Sequence, residues 1–127
     1  QTAGRWHDLA EISERLNVEL LDGAFEGKIG WGRNPPRRRR RTIRLGSYSP
    51  SERLVRIHPA LDRSYVPRYF VEWVVYHEML HARMPIPTIN GRRRFHTAAF
   101  TDAERRFREF AEAQAWERRH LHLLLRI

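Results

Sequence analysis

The residues that could do chemistry are grouped at His77-Glu78-Met79-Leu80-His81. On an α-helix each residue turns about 100°, so His77 and His81 stand about 40° apart and one turn along the axis. Two imidazoles so placed can converge on one metal ion. Glu78, offset from both, can reach a ligand of that ion. This is the mechanical content of an HExxH pattern: two zinc-binding nitrogens and one carboxylate base. From the seven histidines and the glutamate content of the chain, one such pattern arises by chance in roughly 3% of sequences of this composition. Its setting therefore has to carry the argument. Two neutral imidazoles and a carboxylate on one inward stripe would each need partners to offset desolvation, and a metal ion supplies them together. Two core histidines satisfied by hydrogen bonds are the plainer alternative.

A catalytic zinc needs a third protein ligand and an open position. His96 is the expected third ligand. It lies fifteen residues after His81, beyond a chain reversal, and shares its helical phase with Phe100, Ala103, Phe107 and Phe110. Glu104 and Glu109 lie on the same predicted helix and are rival ligands. His58 precedes a proline at a strand end, and His120 and His122 fall in a tail with nothing to position them. The chain has no cysteine, which excludes disulfides, thiolate ligands and cysteine nucleophiles. The longer zincin signature requires a glycine at position 84 and a histidine at 87. This chain has Met84 and Pro87.

Several elements must position these groups. Trp6, Leu9, Ile12, Leu16 and Leu20 recur at helical spacing and predict an amphipathic helix over about residues 5–22, stopped by Gly23. Lys28–Arg33, Arg39–Tyr48 and the stretch around Leu54, Val55 and Ile57 read as three short strands divided by turn residues, an antiparallel meander. Pro67 opens a helix over about 67–84, with Phe70, Trp73, Val74, His77, Leu80, His81 and Met84 on one stripe, and Pro85 and Pro87 end it. Residues 86–94 read as a loop. A last helix starts near His96; Thr101 and Glu104 could form a capping box and start it later, but the shared phase favours the earlier start. The end, His120–Leu125, can continue that helix or dock as an extended tail. The expected class is α+β: a minimal zincin-like domain spanning 1–127, with an N-terminal helix, a three-stranded antiparallel sheet, the HExxH helix and a C-terminal helix.

The formal net charge is +9, and residues 31–58 hold nine bases against one acid. The excess centres on Arg37, Arg38, Arg39, Arg40 and Arg41, a patch suited to a polyanion, DNA first. A merely solvated basic face is the bland alternative; codon preference explains arginine over lysine but not the clustering. Trp31 could stack on bases of a single strand, though a core role serves it equally well. No apolar run is long enough to span a membrane and no secretory signal is visible. A cytoplasmic monomer, nucleoid-associated if bacterial, is expected.

The chain resembles the SprT-like family of metallopeptidases, which includes Spartan. The matching pieces are Arg41-Thr42-Ile43-Arg44-Leu45-Gly46-Ser47-Tyr48, then His77-Glu78-Met79-Leu80-His81-Ala82, then His96 four residues before Phe100, in the family's order and over about residues 6–115. The resemblance implies zinc held by His77, His81 and His96, with Glu78 as acid/base. It also implies protein or peptide substrates, and for Spartan-like members proteins crosslinked to DNA. The chain departs from the pattern at Thr97, where a glycine usually follows the third histidine, and it lacks the cysteine zinc ribbon common in bacterial members. Tyr48 is a candidate oxyanion donor by motif position. Two other readings stand beside this one: a DNA-binding module whose zinc is structural, which would have no need of Glu78, and a small-molecule zinc hydrolase, which would need a deep apolar pocket.

Overall fold

A computed structural model describes residues 1–33, 43–84, 88–89, 91–93 and 97–125, with backbone alone at 88, 89, 92 and 93. His96 and Arg37–Arg41 lie outside the described residues. The order is α1 (Leu9–Leu20), β1 (Lys28–Trp31), β2 (Gly46–Ser49), β3 (Leu54–Ile57), a 3-10 turn (Pro59–Leu61), α2 (Arg68–Arg83), β4 (Thr88–Ile89), β5 (Arg92–Arg93), α3 (Ala98–Glu104) and α4 (Phe110–Leu124). The class is α+β, as expected.

α2 is the centre of the molecule. Phe70 through Tyr76 are all buried, as are Glu78, Met79 and Leu80, so the helix is apolar on every side and must be covered on every side. α1, the sheet, α3 and α4 supply that cover. α1 starts at Leu9, not near residue 5, because Asp8 caps it: its carboxylate accepts from the Ala10 N–H at 3.0 Å. Trp6 therefore falls outside the helix and is 51% exposed, although the spacing predicted an inward residue. The helix ends as expected, with Gly23 at φ +73 donating its N–H to the Asn17 carbonyl. Glu72, buried on α2, accepts from Arg15 of α1 and from Arg68 Nε at 3.0 Å, which fixes α1 against α2.

The sheet corrects the expected meander. β2 pairs antiparallel with β3, Gly46 opposite Ile57, but β1 pairs parallel with β3, Lys28 opposite Leu54 and Trp31 opposite Ile57, giving the order β1-β3-β2. The physical reason is connection length. Four residues join β2 to β3, and Arg53 takes the left-handed conformation (φ 51) there, so a hairpin forms. Fourteen residues separate β1 from β2, enough chain for a crossover to the far side of β3. The second predicted strand is also shorter than expected: Gly46–Ser49 is strand, and residues 39–42 lie outside the described part.

The last predicted helix is two. Thr97 caps α3, accepting from the Phe100 N–H at 3.2 Å, so the early start holds and Thr101 is not the cap. Residues 105–109 then turn the chain before α4, and Phe107 and Ala113 still reach the core. The C-terminal leucines continue α4, with Leu124 buried. No described helix is long and apolar enough to cross a membrane.

Candidate functional site

The groups on α2 open into a cleft of about 500 Å³ whose walls come from the Ile43–Gly46 segment, from α2, and from Glu104, Gln114 and Glu117 on α3 and α4. The helical repeat brings His77 and His81 together as the spacing requires. Their Nε2 atoms are 3.3 Å apart, with rings nearly perpendicular. Phe100 of α3 packs on both rings, and Trp73 packs on that of His77. These aromatic contacts limit how far either imidazole can turn.

Glu104 settles which nitrogen of His77 faces the cleft. Its Oε2 is 2.7 Å from His77 Nδ1. A carboxylate only accepts, so Nδ1 carries the proton and donates, and in the neutral ring Nε2 presents a lone pair. This is the carboxylate–histidine arrangement that orients metal-binding imidazoles. Glu104, weighed in the sequence as a rival ligand, is thus an orienting partner of His77. Glu109 stands at the start of α4 and does not line the cleft.

Glu78 is 7% exposed and makes no hydrogen bond or ion pair with another described residue. Burial raises its carboxyl to a pKa of about 7, and Arg44 on the opposite wall opposes the rise. A carboxyl titrating near neutrality is suited to taking and returning a proton. Burial also raises Glu117, a third carboxyl on the cleft wall.

The donor set can be tested against a metal. Two nitrogens bound tetrahedrally to one zinc at about 2.05 Å stand about 3.3 Å apart, which matches the separation of the two Nε2 atoms. The lone pair on His77 and its carboxylate partner fit the same purpose. Among the described residues no group of three His, Cys, Asp or Glu side chains is arranged to hold a metal; the described part of the site is the pair, and His96 lies outside it.

The other sequence candidates fall elsewhere. Tyr48 lines a separate recess of about 160 Å³ with Phe25, Arg53, Ala82 and Arg83 and is not among the residues that wall the cleft. Arg44, whose positive charge acts on Glu78, donates its Nε–H to the Gly46 carbonyl at 3.2 Å. His58 Nδ1 accepts from the Ala60 N–H at 2.9 Å and caps the turn after β3. His120 stacks on Trp116, and His122 is exposed. Trp31 donates its indole N–H to the Thr2 carbonyl, a structural bond. Sequence reasoning missed Arg44, Gly46, Gln114 and Glu117. Arg44 and Gly46 lay inside a recognised motif, but nothing in their spacing pointed to the cleft; Gln114 and Glu117, one turn apart on α4, carried no sequence signal of a site. Compared with known protein families, curated proteins and solved structures, the chain matches none.

Proposed function

We propose that this protein is a zinc-dependent peptidase whose metal is held by His77, His81 and His96 and whose general base is Glu78. The observation that carries the reading is the Nε2 pair at 3.3 Å with His77 Nδ1 tied to Glu104, beside a buried carboxyl that titrates near neutrality. Zinc bound there supplies Lewis acidity, polarising a carbonyl and making water acidic near pH 7. The protein's own groups do the rest. Glu78 takes the proton of the attacking water and passes it to the leaving amine. Arg44 is available to a developing negative charge on the opposite wall.

The substrate backbone can add to β2. The free side of β1 is covered by the N-terminal segment, since Trp31 donates its N–H to the Gln1 carbonyl. β2 is the outer strand on the cleft side. Because Leu45 bonds to His58 across the hairpin, the alternation of an antiparallel pair turns the backbone groups of Gly46 and Tyr48 outward. In this reading the chain is a minimal zincin-like domain of the SprT-like type. Its substrates include DNA-associated or DNA-crosslinked proteins, on the strength of the basic segment 31–58 and the resemblance.

The test is metal analysis paired with cleavage of an unstructured protein, with and without single-stranded DNA, for wild type and Glu78→Gln. Stoichiometric zinc in both, with cleavage by wild type alone, is expected. Wild-type protein that holds zinc and cleaves nothing under either condition would sink the peptidase reading and leave a structural zinc.

A further inference from the structure

Gly46 of β2 lies directly against α2. A Cβ built there would stand 2.8 Å from Glu78 Cγ, 3.1 Å from Glu78 Oε2 and 3.2 Å from Val74 Cγ1. The first distance is closer than real Cβ contacts come. Nothing in the backbone asks for glycine: Gly46 sits in regular antiparallel pairing opposite Ile57, and the positive-φ glycines are Gly23 and Gly91. The position needs the absence of a side chain, and the atoms occupying the vacated volume belong to Glu78.

The clash cannot be relieved cheaply. Cγ is the second carbon of the Glu78 side chain, so its position follows from the α2 backbone and one torsion. Val71, Val74 and Val75, buried on neighbouring turns, hold that backbone in place. The remaining response is rotation about the Cα–Cβ bond, which carries the carboxylate away from the wall it now faces. The Gly46 carbonyl meanwhile accepts from Arg44 Nε, so the same residue anchors the cation across from Glu78.

We propose that Gly46 is a positioning residue for Glu78: its missing side chain is the space that sets where the base's carboxylate stands in the cleft. The proposal rests on the reading of Glu78 as general base. A side chain at position 46 displaces the carboxylate while leaving in place His77 and His81, on whose rings Phe100 of α3 packs.

The experiment compares wild type, Gly46→Ala, Glu78→Ala, the double variant Gly46→Ala/Glu78→Ala, and Gly46→Ala/Val74→Ala, all as the full chain. Zinc content, thermal unfolding and steady-state kinetics on a quenched-fluorescent unstructured peptide are measured. For Gly46→Ala, kcat falls about 100-fold, as a displacement of about 1 Å costs, while KM and zinc stoichiometry stay as in wild type. Trimming Val74 does not restore kcat, because the contact with Glu78 persists. The drop in melting temperature caused by Gly46→Ala shrinks when Glu78 is already alanine, because the closest contact is gone and only that with Val74 remains, as residues in contact are non-additive. Near-wild-type kcat in Gly46→Ala, recovery on trimming Val74, or a melting penalty undiminished beside Glu78→Ala would each overturn the proposal. If wild type itself cleaves nothing, the peptidase reading fails, and the melting cycle still reports whether position 46 acts through Glu78.

Discussion

Glu78→Gln should stabilise the metal-free protein above neutral pH, and the size of the effect follows from where Glu78 sits. Its carboxyl is 7% exposed. Burial raises its pKa from 4.5 to about 7 against the pull of Arg44. His77 and His81 share its helix, and Glu104 and Glu117 face the same cleft from α3 and α4. Because the folded-state value is raised, the acid form favours folding. Its contribution is complete below about pH 4.5 and is lost as pH rises through about 7. At about 1.4 kcal/mol per pKa unit, the loss is on the order of 3 kcal/mol. Glutamine has the same shape and carries no charge at any pH. The difference in unfolding free energy between Glu78→Gln and wild type should therefore rise in favour of the variant from pH 4.5 to about 7 and level off above it. Urea unfolding in the presence of a chelator, across pH 4.5 to 8, measures this directly. Taking the difference removes the other carboxylates, which titrate in both proteins. A flat difference, or a wild type more stable than the variant at pH 8, would refute the reasoning: the Glu78 carboxylate would then be well solvated or paired. The outcome also bears on function, since a base that costs stability at working pH is a common trade at active sites.

Two further substitutions probe the frame around the site. Glu104→Gln, which weakens the 2.7 Å contact to His77 Nδ1, should reduce zinc affinity about 10–100-fold, read by competition with a chromophoric chelator; unchanged affinity would remove Glu104 from the account of His77. Tyr76→Phe deletes a buried hydroxyl that donates to the Ala103 carbonyl at 2.7 Å. Because that carbonyl also accepts from the Arg106 N–H, the cost should be only about 1 kcal/mol, seen as a lower denaturant midpoint with an unchanged slope; a loss of several kcal/mol would mean that the bond holds α3 on α2 by itself.

The sequence by itself determined the features that depend on local period. The run from Phe70 to Met84 could only be a helix, and helical geometry alone brings His77 and His81 onto one side of it, with Glu78 beside them. The α+β class, the stop at Gly23 and the early start of α3 follow from equally local signals. Side chains at Asp8 and Thr97, each bonding an N–H two or three residues on, trimmed those helices to their final lengths.

Tertiary structure decided what depends on distant segments meeting. The parallel pairing of β1 with β3 is not written in either strand, since each has the same alternation whichever neighbour it takes; only the lengths of the connections hinted at it. Glu104 became the partner of His77 because the chain turns at 105–109 and α3 packs against α2. Tyr48 went to a separate recess because β2 runs along α2, so that a shift of two residues from Gly46 moves a side chain nearly a turn away from Glu78. Arg44, Gln114 and Glu117 entered the cleft from elements far apart in the chain, a meeting that no local period encodes. The helix His77–His81 was legible because its chemistry repeats every turn of one element. The cleft around it was not, because its walls come from separate stretches of chain whose approach is set by the packing of the core.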